Sequence, residues 1–330
     1  MDHTRQRKLH HPTGLHPDDK ESLELIEAAS SFASPPPTGF RADFAGAIHR
    51  STFLFDPGSE PPDNVISQGV VTGRPGINEE IFEWLDLAFA IQKSSQPLIF
   101  LELGAGYGRW SARFFHLARA AQKRLEKLVL VEAEPIHAEW SRQNMIDNNV
   151  PLSQFKVIEA AVSSEQRGDN LFYVGKPTAE DRGKRWYGQA LVSSAHSYGQ
   201  PIVRSPMSLF RRTRKKVATM AGWKAIKVRT LRLGQILDNL PYASLIDFDI
   251  QNAEAGIVLD SAKKLTEKVG MLHIGTHSKE AEDAIRETLT RFGWDNTRDF
   301  GCNQRINTPY FGEIEFEDGV QTWVNPTAVC

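Results

Sequence analysis

A glycine-rich stretch of the sequence is the clearest candidate for a ligand-binding loop. It reads Glu102-Leu-Gly104-Ala-Gly106-Tyr-Gly108 and follows an apolar run. Glycines at this spacing let the chain turn sharply and let a ligand lie against bare backbone. A dinucleotide loop needs a glycine at the position of Arg109, so that a diphosphate sits on the helix N-terminus. The carboxylate of Glu102, just ahead of the loop, instead favours a ligand with a cationic amino-acid group.

Two acids follow the next apolar run, in Val131-Glu132-Ala133-Glu134-Pro135. An acid at the tip of the strand after a glycine loop can accept hydrogen bonds from the hydroxyls of a ribose. Glu132 and Glu134 are two residues apart and share one face of a strand, so their facing does not separate them. Glu134 lies nearer the strand's end, just before a proline. It is therefore the predicted ribose ligand, with Glu132 as the alternative.

A further set of reactive side chains follows two later apolar runs. Asp249 and Gln251 end the first run, Glu254 opens the helix after it, and His277 lies past the end of the second. Ligands of open α/β sheets bind at the carboxyl ends of strands, so these residues should converge there. Because histidine titrates near neutrality, His277 is the predicted general base, with Asp249 as the second catalytic candidate. Gln251 and Glu254 are predicted substrate contacts.

Two further interpretations concern the same strand ends. The set Asp249, Gln251, Glu254 and His277 could hold a divalent cation, but this spacing is not diagnostic of one and no metal is assigned. His273 lies inside the second run rather than at its end. It is predicted to be a buried, hydrogen-bonded histidine.

Alternating strands and helices have to position these residues. Such alternation implies parallel βαβ units with right-handed crossovers. Asp318-Gly319, between two alternating runs, predicts a C-terminal antiparallel hairpin. The expected fold is α/β, a Rossmann-like and mostly parallel doubly wound sheet that ends in this hairpin. The predicted strands are 98–103, 128–131, 155–158, 245–250 and 269–274, and the main helices are 18–30, 110–121, 136–145, 253–266 and 279–292.

The points where this alternation starts, breaks and resumes divide the chain into four segments. Residues 1–77 are a partly disordered N-terminal extension, and 78–164 and 231–330 are the two halves of the core. Residues 165–230 are an insertion that carries Trp186 and Tyr187 beside a glycine. Aromatic side chains in so long a loop favour a lid and a platform for substrate.

Composition excludes several classes of protein. The 330 residues include 39 Lys and Arg against 41 Asp and Glu, so the net charge of −2 argues against a nucleic-acid binder. No apolar run approaches the roughly 18 residues of a membrane span. The polar N-terminus offers no signal peptide, so a cytoplasmic protein is expected.

Taken together, four stretches resemble the FkbM family of methyltransferases, over about residues 98–295. They are the glycine loop; Glu134-Pro135 with Asn144 and Asn148; Glu159-Ala-Ala-Val-Ser163; and Asp249-Ile-Gln-Asn-Ala-Glu254, with Asp238 ahead of it. The chain departs from the family pattern at Asn252, where a glycine is usual, at Asp247, where a lysine is common, and in Gly275-Thr276-His277, where the family has E-x-H. These departures concern the acceptor more than the cofactor.

The resemblance implies a class I methyltransferase fold with S-adenosylmethionine as cofactor. It implies O-methylation of a small-molecule acceptor, either a sugar or glycan or another hydroxylated secondary metabolite, with His277 as general base. The alternatives are a catalytically inactive, cofactor-binding interaction subunit and an NAD-dependent oxidoreductase. The second is disfavoured by Arg109. The expected cofactor ligands are Glu102, Gly104, Gly106, Gly108, Glu134 and Ala161.

Overall fold

The structure is a computed structural model that describes most of the chain. The described residues are 19–30, 34–54, 70–71, 77–164, 169–175, 189–191, 223–251, 253–308 and 311–328. The α-helices among them are α1 (Asp19–Ala29), α2 (Glu80–Lys93), α3 (Arg109–Ala120), α4 (Pro135–Asp147), α5 (Leu233–Leu237), α6 (Glu254–Lys268) and α7 (Lys279–Arg291).

The strands form one main sheet and three small sheets. They are β1 (Phe40–Ala42), β2 (Ile48–Arg50), β3 (Val70–Val71), β4 (Leu98–Leu103), β5 (Leu125–Glu132), β6 (Phe155–Glu159), β7 (Ala161–Val162), β8 (Asp169–Gly175), β9 (Trp223–Leu231), β10 (Leu245–Phe248), β11 (Met271–Thr276), β12 (Asp295–Phe300), β13 (Gln304–Thr308), β14 (Gly312–Phe316) and β15 (Gly319–Val324).

Seven strands form the main sheet, in the order β12-β15-β11-β10-β4-β5-β6. The five strands from β11 to β6 run parallel to one another. The late strand β15 enters between β11 and β12 and runs antiparallel to both. This order confirms the predicted Rossmann-like sheet, with the antiparallel C-terminal addition expected of the class I methyltransferase fold.

Helices cover both faces of the sheet because its central strands are apolar on both sides. Phe100 of β4 packs with residues of α1 to α4 in one buried cluster, whereas Leu101 and Leu103 pack with residues of α5 to α7 in another. Alternate residues of one strand thus serve opposite faces. The sheet is doubly wound, as predicted.

The turn at Asp318-Gly319 joins strands of two different sheets. β14, ahead of the turn, pairs with β13, whereas β15, behind it, pairs with β11 and β12. The C-terminal antiparallel pairing is confirmed, but the prediction that the two runs flanking this turn pair with each other is wrong. Burial decides the partners, since Phe316 stacks on Phe300 under the sheet while Trp323 is buried within the sheet.

The N-terminal extension and the insertion are described in part. In the extension, α1 packs on α2 and α3. In the insertion, β8 pairs antiparallel with β9. Trp186 and Tyr187, on which the prediction of a lid and substrate platform rests, and most of the extension predicted to be partly disordered lie outside the described residues. In the described part of the chain, no helix is both long and apolar enough to cross a membrane.

Candidate active site

A pocket opens at the carboxyl ends of β4, β5 and β10. This is the edge at which the sequence places the glycine loop and the acids. The pocket also reaches the insertion, through Phe172, Gln189 and Leu191. Its other lining residues are Gly104, Gly106, Val131, Glu132, Ala133, His137, Ala160, Ala161, Val162, Asp249, Ile250 and Gln251.

Two glycines of the loop are required by the backbone itself. Gly104 has φ +81°, and a Cβ there would lie 1.8 Å from the carbonyl oxygen of Asp249. Gly108 is the N-cap of α3 with φ +74°, and its Cβ would lie 2.6 Å from Cδ2 of Leu130. Gly104 and Gly106 line the pocket, whereas Gly108 lies behind it. Gly108 therefore lets α3 start close against β5.

Glu132, rather than Glu134, faces the pocket. Oε2 of Glu132 accepts from the backbone N–H of Gly106, and Oε1 accepts from that of Glu134, both at 2.7 Å. Burial raises the pKa of Glu132 to about 7. Glu134 instead caps α4, because its carboxylate accepts from the backbone N–H of His137 at 2.6 Å. The geometry thus reverses the order of preference between the two acids.

Glu102 organises the start of α3. Its carboxylate accepts from the backbone N–H groups of Trp110 and Ser111 and from the Ser111 hydroxyl. It is 3% exposed and is not among the pocket-lining residues. Burial raises its pKa to about 8, despite these bonds. Ala161, the remaining predicted cofactor contact, does line the pocket.

Asp249 and Gln251 are the polar residues at the β10 end of the pocket. The Asp249 side chain is 58% exposed. Gln251 adopts φ +54°, which is unusual for a residue with a side chain, and donates through Nε2 to Asp249 Oδ1 at 3.2 Å. The strained loop after β10 therefore presents a carboxylate and an amide to the same space.

His277 lies behind Asp249 and is buried, with a side-chain exposure of 2%. Its Nδ1 lies 3.0 Å from Oε1 of Glu254, and its Nε2 lies 3.9 Å from Asp249 and 3.8 Å from Asp318. Burial alone lowers its pKa, but the Glu254 hydrogen bond and the charges of Glu254, Asp249 and Asp318 outweigh burial and raise the pKa to about 9. His277 therefore holds a proton at neutral pH. Glu254, predicted as a substrate contact, is fully buried and faces this imidazole.

A row of polar side chains crosses the buried sheet below the pocket. Asp247 of β10 is paired in register with Glu102 of β4 and with His273 of β11, so the three share the face covered by α2. His273 is buried and Nδ1 donates to Asp86 of α2 at 2.7 Å, as predicted for a buried, hydrogen-bonded histidine. Glu83, one helical turn before Asp86, meets Asp247 and His273. Sequence reasoning missed both Glu83 and Asp86.

The N-terminal extension contributes aromatic rings that cover the glycine loop. Tyr107 of the loop packs against His49 and Phe53, and Phe53 stacks on Trp140 of α4. Burial, followed by the charges of nearby arginines, lowers the pKa of His49 to about 3, so this imidazole is neutral. The extension thus holds the loop from outside, a role the sequence did not suggest.

Comparison with known proteins gives one sequence relative and distant structural likenesses. No protein-family model matches the chain. A protein of Jannaschia sp. (strain CCS1), which carries the provisional name of a methyltransferase, is 23% identical over 253 residues, or 75% of this chain and 80% of that protein. The precorrin-6y C5,15-methyltransferase of Geobacter metallireducens GS-15 has a TM-score of 0.38 and 10% identity, over 72% of this chain and 86% of that one. The methyltransferase FkbM of Methylobacillus flagellatus KT has a TM-score of 0.37 and 11% identity, over 69% of this chain and 43% of that one. The resemblance to the FkbM family stays a prediction.

Proposed function

We propose that the protein is an S-adenosylmethionine-dependent methyltransferase that methylates a hydroxyl group of a sugar or another small metabolite. The observation that carries this proposal is the pocket at the strand ends, which has an acid at each end and bare glycine backbone between them. Glu132 lies at one end and Asp249 at the other, with Gly104 and Gly106 in the loop that joins the β4 end to α3. The name of the relative from Jannaschia supports the same activity.

The lining of the pocket fits S-adenosylmethionine. The carboxylate of Glu132 retains acceptor capacity beyond its two backbone bonds and can take the hydroxyls of a ribose. Ala160, Ala161 and Phe172 offer an apolar wall beside it for the adenine ring. Asp249, at the opposite end, is the carboxylate available to the sulfonium and to the acceptor. When bound, the cofactor supplies a methyl group on a positively charged sulfur.

Methyl transfer to a hydroxyl also requires a group that accepts the hydroxyl proton, because the hydroxyl loses this proton as the new carbon–oxygen bond forms. Asp249 is the exposed group and lies between the pocket and buried His277. We propose that Asp249 contacts the acceptor hydroxyl and that neutral His277 is the base that finally holds the proton, with Glu254 fixing the imidazole from the far side. With a pKa of about 9, His277 is free to take a proton in only a minor fraction of molecules at pH 7.

Calorimetric titration with S-adenosylmethionine, its demethylated product and NAD tests the cofactor assignment. We expect the first two to bind with one site per chain and NAD not to bind. Gly106→Val, which adds a branched side chain to the pocket wall, is the matched control. It should bind neither S-adenosylmethionine nor its demethylated product. NAD binding without S-adenosylmethionine binding would instead establish the oxidoreductase alternative.

Activity is tested separately from binding. The protein is incubated with S-adenosylmethionine and a panel of hydroxylated sugars and metabolites, and the demethylated product is measured together with the mass increase of the acceptor. We expect a methyl ether on one acceptor class. Cofactor binding with no turnover on any acceptor would favour the inactive, cofactor-binding subunit.

A further inference from the structure

Three potential metal ligands meet in the buried space between α2 and the sheet. Glu83 of α2, Asp247 of β10 and His273 of β11 each place one donor atom so that all three atoms lie within 4.8 Å of one another. Each residue comes from a different element, and the strand residues are held in register by the sheet. A rigid set of donors from separate elements is what a binding site requires.

Asp247 is the observation that points to a missing partner. The residue is 2% exposed. No described residue donates a hydrogen bond to either of its carboxylate oxygens. A buried carboxylate left in this state costs several kcal/mol unless it is neutralised or paired, so such groups are rare. One of these oxygens lies within 4.8 Å of a carboxylate oxygen of Glu83 and of a ring nitrogen of His273, and neither group donates a hydrogen bond to it.

The histidine of the cluster has a carboxylate partner of the kind found around metal sites. Nδ1 of His273 donates to Asp86 Oδ2, which also accepts from the Thr322 hydroxyl. With Nδ1 occupied by its proton, Nε2 carries the lone pair. A carboxylate that fixes the tautomer and the ring of a histidine in this way is the usual outer shell of a metal ligand.

The local charge is also suitable. Asp249 adds a further negative charge close to Glu83 and Asp247, while Arg109 is the cation that acts on both. Arg109 is itself paired with Glu80 at 2.9 Å. Acids therefore outnumber cations around the cluster. Glu83 is half-buried, so this member of the cluster lies nearer the surface than the two strand residues.

We propose that Glu83, Asp247 and His273 form a binding site for a divalent metal ion beside the cofactor pocket. Two carboxylates and one imidazole favour a borderline ion of the Mn²⁺, Fe²⁺ or Zn²⁺ type over Ca²⁺, which prefers oxygen ligands alone. Three protein ligands leave further coordination positions for water or substrate. Such an ion would hold the acceptor's oxygen next to Asp249. This role rests on the methyl transfer proposed above.

Mn²⁺ binding to the full-length protein tests the site without any need for turnover. Bound and free Mn²⁺ are distinguished by electron paramagnetic resonance. Mn²⁺ is the probe of choice because scattered imidazoles, such as those of His10 and His11 near the N-terminus, bind it more weakly than Zn²⁺. We expect one tightly bound Mn²⁺ per chain and a rise in Tm on addition of the ion.

The decisive variant is Asp247→Asn, which keeps the shape of the side chain and removes its charge. We expect Mn²⁺ affinity to fall by about 100-fold or more, since changes even to outer-shell partners cost about 10- to 100-fold. Its Tm without metal should equal or exceed that of the wild type, because an unpaired buried charge is gone. Glu282→Gln is the matched control, since Glu282 is equally buried but bonded to Thr276 and Cys302, and it should bind Mn²⁺ normally.

The outcomes separate this proposal from the proposed function. No Mn²⁺ binding by the wild type, or equal binding by Asp247→Asn, overturns the metal site whatever the activity. If Asp247→Asn fails to fold, Glu83→Gln gives the same test at the half-exposed edge of the cluster, with the same expected loss. Mn²⁺ binding by a protein that does not bind S-adenosylmethionine leaves the metal site standing and refutes the methyltransferase assignment.

Discussion

Replacing Glu132 by glutamine should identify the ribose ligand. Glu132 lines the pocket, while Glu134 caps α4 two residues later. Loss of a charged hydrogen-bond acceptor costs about 1.5–3 kcal/mol, which corresponds to a weakening of cofactor binding by about 10- to 150-fold. Glu134→Gln, the matched control, should leave cofactor affinity within about threefold and cost at most the 0.5–2 kcal/mol of a helix cap.

The pH dependence of binding gives an independent reading of the same residue. With an empty pocket, the pKa of Glu132 is about 7 because of burial. Ribose hydroxyls donate to the carboxylate and favour its ionised form. Cofactor affinity should therefore be constant above about pH 8 and fall below pH 7, by up to about tenfold per pH unit. Glu132→Gln should remove this dependence, and Glu134→Gln should retain it.

Calorimetric titration of both variants with the demethylated cofactor, from pH 5.5 to 8.5, is the assay. Each variant must first show a cooperative thermal transition, because glutamine can satisfy only one of the two backbone N–H groups that Glu132 now binds. The reasoning is refuted if Glu134→Gln loses affinity and Glu132→Gln does not. It is also refuted if affinity of the wild type is independent of pH across pH 7.

A pH profile and two substitutions test the general base, the glycine loop and the buried polar network. If His277 is the base, the methylation rate should rise about tenfold per pH unit from pH 7 and level off near pH 9, and a flat profile would transfer the role to Asp249. Gly108→Ala should lower the free energy of unfolding by about 1–3 kcal/mol, because φ is positive and Leu130 blocks the Cβ; a loss below 0.5 kcal/mol in urea titration would contradict that crowding. Asp86→Ala should cost about 3–5 kcal/mol in the same measurement, since among the described residues it leaves buried Arg298 with Asp19 as its one remaining carboxylate partner, and a cost below about 1 kcal/mol would show that water replaces Asp86.

The sequence predicts those parts of the fold that depend on local pattern. Apolar runs such as 98–103 and 245–250 become buried strands because a parallel sheet covered on both faces needs them, and the structure has β4 and β10 there. Strand partners depend on burial between distant segments. Asp318-Gly319 is correctly predicted as a chain reversal, because that signal is local. The strands on either side of it belong to different sheets, because their partners lie in distant segments.

The same division holds for the candidate site. The glycine loop is a continuous stretch and is readable from spacing. Glu132 and Glu134 share a strand face in the sequence pattern, and only the helix start at Pro135 separates their roles. Glu83 could not be recognised from local spacing. Its partners are 164 and 190 positions further along the chain, a juxtaposition that no local pattern contains.

The position of β15 in the sheet has a consequence for folding during synthesis. It is the last strand along the chain to join the main sheet, yet it lies inside the sheet and alone connects β12 to β11. The edge of β11 that pairs with β15 therefore stays unpaired while β12, β13 and β14 are synthesised. Released chains truncated after residue 316 should expose this edge to chaperones, whereas released chains that extend past residue 324 can close it.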